Sequence, residues 1–349
     1  MLSFRHKKIF ISLCLFFVSW ANLANSGPIS ESEQKNAIIE YSKIVPKESV
    51  NNVFFPTSFR TIDNILSSWP DVKDLQSDPS IDGVVSHTFL LSDKLLSDKP
   101  VSEDIKKMEN VTFYDNLEPK TLEQVNRRIT RLTEKRIKGQ LRLNSAGTTR
   151  FIASNAIYLK SELLLNFEDL RGGMPFYYPD GSSEQVPAFS SEYAKNIKVV
   201  SDPSYTTYAI PCKQKDQQMI IMESVKGSGI TPYDLLNSEE EVLEMIKAVR
   251  KKDAQSLGEK YPDAESITLT VPKFIIQSTH DLSSHVKRTP TQYSEVSQNG
   301  FLKVDEHGIE AAAVTSAICF DGIMQSKHVE VNNPIAIVII KVDIILAIG

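Results

Sequence analysis

Apolar positions along this chain switch between helical and strand periods, and the switches lay out its elements. Ala37, Ile38, Tyr41 and Ile44 recur at helical spacing, and Pro46 closes that run. Asn52-Val53-Phe54-Phe55-Pro56-Thr57-Ser58 predicts a short buried strand running into a helix whose apolar face holds Ile62, Ile65 and Leu66. From Asp71 to Pro100 the pattern weakens, and Asp, Ser and Pro punctuate what reads as loop. Leu122 to Ile137, with Val125, Ile129 and Leu132 on one side, predicts the clearest amphipathic helix. Phe151 to Leu159 predicts a strand buried on both faces.

The middle of the chain is rich in strand signals. Gly172-Gly173 and Asp180-Gly181 predict turns, Ser183 to Ala188 and Lys198 to Val200 predict strands, and Met219-Ile220-Ile221-Met222 predicts a central one. A helix follows between Ser238 and Lys252, with Val242, Leu243, Ile246 and Val249 on its inner face. Ile267 to Ile276 alternates as one half-buried strand should. Val329-Glu330-Val331 precedes two apolar runs, Ile335 to Ile340 and Ile344 to Ile348. Lys341 and Asp343 keep these runs too short to span a membrane, so they predict paired antiparallel strands. No repeat or linker divides the chain, so one α+β domain is the simplest account.

Composition narrows the function classes. With 349 residues, 41% apolar and 24% charged, the chain can bury a sizeable core. A formal charge of −5 gives no reason to expect a nucleic-acid or membrane-surface partner, and the basic stretch from Arg127-Arg128 to Lys138 reads as a solvated helix face. At the N-terminus, Arg5, His6, Lys7 and Lys8 precede an apolar run from Ile9 to Trp20 and then small residues through Ser26. That three-part form predicts a secretory signal peptide over residues 1–26, leaving 27–349 as the mature, extracellular domain. On that route Asn110-Val111-Thr112 becomes a usable glycosylation sequon.

Enzyme chemistry finds little support. No GxSxG elbow, HExxH pair or P-loop is present. His280, Asp281 and His285 form a local cluster of the kind that is usually solvated, and the two cysteines left in the mature chain, Cys212 and Cys319, lie outside any metal-ligand spacing. No catalytic residue, metal or cofactor is therefore expected. Whether the two thiols pair is open at this level.

The most informative stretch is Val304-Asp305-Glu306-His307-Gly308-Ile309-Glu310-Ala311-Ala312-Ala313-Val314-Thr315-Ser316-Ala317, a glycine followed by small residues and then an irregular run. It resembles the hinge and reactive-centre loop of the serpins, protease inhibitors that trap an enzyme by inserting their own cleaved loop into a β-sheet. Three more segments are similar to serpin motifs and follow the family's order: Asn52 to Ser58, Asn155-Ala156-Ile157-Tyr158-Leu159-Lys160, and Val271-Pro272-Lys273-Phe274 with Asp281-Leu282. The resemblance implies a single domain with large β-sheets, surrounding helices and an exposed reactive-centre loop.

It implies a function as well: a secreted, monomeric suicide substrate for a serine protease, with cysteine proteases as a second class of partner. Glu306, Gly308, Ile309, Glu310, Ala311, Ala312, Ala313, Val314 and Thr315 would form the hinge. Ser58, Asn155 and Gln298 would line the region where the sheet opens. Counting from Gly308 and back from Val329 places the scissile bond within Gly322, Ile323 and Met324. If insertion runs from Ile309, then Ile309, Ala311, Ala313 and Thr315 face inward by the strand's period of two. The bland alternative for Ala311-Ala312-Ala313 is a turn of helix, since alanine favours helices.

The chain also departs from the pattern. Ile309 stands where a threonine or serine is usual, Leu163 where a tryptophan is, and Gln298 where a histidine is. Most of a segment between Leu282 and Phe301 is missing. The second reading is thus a non-inhibitory serpin-fold carrier, or a binding and immunomodulatory protein, that has lost loop insertion.

Overall fold

A computed structural model describes residues 11–15, 39, 43–44, 53–69, 84–93, 105, 107–138, 141–143, 148–229, 231, 234, 239–292, 294–309, 326–341 and 344–348. In chain order the strands are β1 (Ile11–Leu15), β2 (Val53–Phe54), β3 (Val84–Ser92), β4 (Val111–Tyr114), β5 (Phe151–Leu159), β6 (Glu168–Tyr177), β7 (Ser183–Ser191), β8 (Lys198–Ser201) and β9 (Tyr205–Pro211). They continue as β10 (Gln217–Ser224), β11 (Ser266–Pro272), β12 (Phe274–Asp281), β13 (Ser294–Asp305), β14 (Gly308–Ile309), β15 (Ser326–Glu330), β16 (Ile335–Lys341) and β17 (Ile344–Ile348). The helices are α1 (Pro56–Ser67), α2 (Pro119–Leu132), α3 (Glu239–Arg250) and the short α4 (Leu257–Lys260).

Three sheets result. The main one runs β12-β13-β5-β3-β4, with β14 on β13; a second runs β2-β1-β17-β16-β10-β9-β8; a third runs β15-β11-β7-β6. Ile157, Leu159, Leu302 and Val304 of the main sheet pack with Ile210, Met219 and Ile337 of the second and with Leu269 of the third. On its other side the second sheet buries Ile220, Met222 and Val338 with Ile62, Ile65 and Leu66 of α1 and Val242, Ile246 and Val249 of α3. The outer face of the main sheet is covered by α2, whose Leu122, Val125 and Ile129 pack with Phe89, Ile152 and Tyr158. Each apolar stripe thus finds the layer its period called for.

The structure corrects several sequence expectations. The supposed loop between Asp71 and Pro100 contains β3, a central strand. Helix α2 ends at Leu132, five residues short of Ile137, and Glu134 and Lys135 adopt positive φ beyond it. Gly172 and Gly173 form a bulge within β6 rather than a turn; Gly173 has φ +70°, and a Cβ there would lie 2.1 Å from the Val186 carbonyl oxygen. The single strand expected over Ile267 to Ile276 is two strands in different sheets, broken at Lys273. Of the first helix, only Ile39, Lys43 and Ile44 are described, and they are helical. Within the stretch read as a signal peptide, β1 lies parallel to β16, Ile11 opposite Ile335, on the edge of β16 that β17 also pairs.

Candidate functional site: the seam between two parallel strands

Strands β5 and β13 are paired directly and in parallel, from Ser294 opposite Phe151 to Phe301 opposite Tyr158. No strand lies between them. Strand β13 outruns β5, turns at Glu306-His307 and returns as β14, which places Ile309 opposite Val304. On its other side Ile309 exchanges two backbone hydrogen bonds with Ser161, each 2.5 Å, just beyond the end of β5. Ile309 therefore already sits at the mouth of the seam, fully buried in the same apolar cluster as Leu159, Leu163, Leu302 and Val304.

Gly308 makes this return possible. Its φ is +106°, and a Cβ would stand 2.6 Å from the Ser161 carbonyl oxygen and 2.7 Å from the Leu163 nitrogen. No L side chain meets both demands. Beside it, Lys273 Nζ lies 2.5 Å from both Asp169 Oδ1 and Glu306 Oε2. Burial works against the lysine's charge, but its bonds to Asp169 and Glu306 outweigh that and raise its pKa. The His307 N–H donates to Asp305 Oδ1 at 3.0 Å, and Lys303 pairs with the same carboxylate group, so the turn is held by charge on both sides.

Deeper in the sheet the two faces of the seam differ. On the inner face, Gln298 Nε2 donates to Phe55 O at 2.7 Å and its Oε1 accepts from Phe55 N at 2.8 Å, as a strand backbone would. Ser278 bonds both the N–H and the carbonyl of Val53. His280 Nε2 lies 2.8 Å from the same carbonyl, so that nitrogen must carry a proton. Burial lowers the His280 pKa, only partly opposed by this bond, and the ring is neutral. Across the seam, Asn155 Nδ2 lies 3.1 Å from Ser86 Oγ and Thr88 Oγ1 of β3. Asn155 and Gln298 are register partners, yet the Asn155 Oδ1 is buried with no partner. On the outer face, Ser154 Oγ bonds both Ser297 Oγ and Asn299 Nδ2 at 3.2 Å, so there the seam is bridged.

The residues foreseen in the sequence fall into three groups. Glu306, Gly308, Ile309, Asn155 and Gln298 converge on the seam as above. Ser58 lies in α1, whose preceding residue Phe55 is what Gln298 grips. Glu310, Ala311 to Thr315, and Gly322, Ile323 and Met324 lie outside the described residues, as does Cys319. Asn110 sits half-buried in the turn before β4, its backbone carbonyl bonded to Thr88 N. Cys212 is a free, buried thiol that burial pushes up to about 11. Among the described residues no cluster suits a metal, and His280 and His285 bond different backbone carbonyls. Ser154, Asn299 and Ser278 were not foreseen; the only hint was the polar density of Ser297-Gln298-Asn299.

Comparison with known proteins places this geometry. The chain is 22% identical over 306 residues to an uncharacterized serpin-like protein of Methanosarcina acetivorans, covering 79% of this chain and 67% of that one. The matched stretches span between 40% and 70% of the lengths of the curated relatives. Among solved structures, Serpin48 of the insect Tenebrio molitor superposes with a TM-score of 0.67 at 16% identity, covering 93% of this chain and 98% of that one. Human thyroxine-binding globulin, solved in complex with its hormone, superposes at 0.57 and 14% identity, covering 91% and 89%. Such identities speak for the fold alone. The family model described as "Serpin (serine protease inhibitor)" matches residues 102–349, which include both seam strands and the whole hinge, and with that match this chain belongs to the serpin family.

Proposed function

We propose that the chain is a secreted, monomeric serpin-type inhibitor that traps a serine protease as a suicide substrate by inserting its loop between β5 and β13. The observation that carries the reading is Ile309, hydrogen-bonded to Ser161 just beyond the end of β5 and in register with Val304 of β13 on its other side, at the mouth of the seam. From there an inserting strand gains backbone partners on both sides, and the closed sheet is a state held by kinetics rather than by depth of free energy. Attack at the Gly322 to Met324 window would form an acyl-enzyme, and insertion would carry the enzyme away before water completes the cycle. The leader over residues 1–26 and the sequon at Asn110 belong to the same reading.

A second reading keeps the fold without the trap. It is favoured by Ile309 itself, a large side chain at the first inserted position, and it makes the chain a carrier or binding module. Among the described residues no helix is long and apolar enough to cross a membrane. Incubation with a panel of serine and cysteine proteases decides between the readings: a covalent complex stable on denaturing gels is expected, and clean cleavage or indifference across the panel leaves the second.

A further inference from the structure

Strand β10 ends its apolar inner face on a charge. Met219 and Ile221 pack in the core between the sheets, and by the strand's period of two Glu223 follows them, only 6% exposed. The turn between β15 and β16 bonds it: Asn332 N, Asn333 N and Asn333 Nδ2 all donate to Glu223 Oε1, at 2.8, 3.1 and 2.9 Å. Glu223 Oε2 lies 3.3 Å from Tyr208 Oη of β9. The next residue, Ser224, donates both its N–H and its hydroxyl to the Pro334 carbonyl. One end of β10 thus holds the corner at which the chain leaves the third sheet and enters the second.

Among the described residues no cation bonds this carboxylate. Glu330 of β15 bonds Asn332 Nδ2 at 3.0 Å, and Lys226 lies over the ring of Tyr177, whose backbone N–H donates to the Asn332 carbonyl. Tyr208, kept protonated by burial and by Glu223, and Tyr261 near it add no positive charge. The partners also differ in kind. The three N–H groups can only donate, and all meet Oε1; the tyrosine hydroxyl can donate or accept, and it meets Oε2. A proton on Oε2 therefore turns that one bond round and costs none of the others. Burial without a cation favours the proton and raises the Glu223 pKa, with the hydrogen bonds opposing it in part.

We propose that Glu223 is a proton-sensitive clasp on the corner between β15 and β16, a positioning residue that holds Asn332 and Asn333 in both protonation states and more firmly once its carboxyl takes up a proton. The clasp is independent of whether the loop inserts. Its sign is opposite to that of a buried neutral histidine such as His280. The native carboxyl binds its proton at a higher pH than the unfolded one, so stability rises as pH falls from the native value toward the ordinary 4.5.

Glu223→Gln is a fixed copy of the protonated form, with an oxygen for the three N–H groups and an amide N–H for Tyr208 Oη. At about pH 8 this variant should melt at least about 2 °C above wild type, and the gap should close as pH falls to about 5. The comparison cancels every other titrating group, the histidines included. Glu223→Ala, followed by amide exchange at about pH 8, should speed exchange at residues 329–333 about tenfold and leave β3 unchanged. A gap that is absent at about pH 8, or constant across the range, overturns the proton sensitivity. Equal acceleration in β3 overturns the clasp's place at the corner.

Discussion

Asn155 and Gln298 face each other across the seam without a hydrogen bond between them, because the Gln298 amide is turned toward the backbone of Phe55. The inner face of the sheet is therefore fastened to the segment beneath it and not across its own opening. Gln298→Ala would leave the N–H of a fully buried Phe55 unpartnered, while its carbonyl keeps the Phe59 N–H, and a loss of about 1–3 kcal/mol is expected. Denaturant titration of the two proteins measures it directly.

Opening of the outer face should depend instead on Ser154. With Asn299→Ala, one of the two side-chain bonds crossing the seam is removed, together with the Thr279 Oγ1 bond to Asn299 Oδ1, while the backbone pairing of β12 and β13 stays intact. Amide exchange along β5 should rise about tenfold, equivalent to roughly 1.4 kcal/mol, with little change in β3. Uniform acceleration across both strands would mean that Asn299 supports the whole sheet rather than the seam.

Gly308 is the next point of leverage. Gly308→Ala combines an unfavourable φ with a collision against Ser161, so Ile309 should leave its pocket and lose protection of its amide. The expected loss of stability is at least about 1 kcal/mol. Hydrogen exchange resolved at residues 304–309 reports the first effect, and thermal melting the second.

Acid should weaken the fold through its buried histidines. Burial, and secondarily the nearby Arg128, lower the His87 pKa from 6.5 to about 4, so between those values the unfolded chain takes up a proton that the native one refuses. Stability from this group is complete above pH 6.5 and falls as pH drops toward 4, by up to about 1.4 kcal/mol per pH unit. His87→Gln, whose amide can still reach Thr112 Oγ1, should flatten that slope. His280 acts in the same direction.

Cys212 should be silent toward thiol reagents in the folded protein, being buried and pushed up to about 11. Labelling with a chromogenic disulfide before and after denaturation, followed by peptide mapping, checks this: Cys212 should label only after denaturation. Early labelling there would mean that the packing around Leu163 opens readily.

The elements read correctly from sequence were those whose apolar pattern serves packing alone. Strand β5, helix α3 and the pair β16 and β17 appear close to where their periods place them. The seam's other strands were hidden by the residues that make it a seam. In β3, Ser86 and Thr88 point inward to bond Asn155 and so erase the alternation. In β13, Ser297, Gln298 and Asn299 put polar groups on both faces of a buried strand. Lys273 separates β11 from β12 by a change of sheet that no local period records. The hinge was legible because Gly308 and the small residues after it are a local necessity, whereas the Ser154 bridge joins residues 143 positions apart.

That separation bears on how the molecule is made. Parallel pairing of β5 with β13 is among the most non-local contacts in the chain, so its closure waits until hairpins such as β9 with β10 and β6 with β7 have formed. During that wait two long strand edges stand unpaired. The rate of synthesis, the temperature and the concentration of other nascent copies then decide what reaches those edges first.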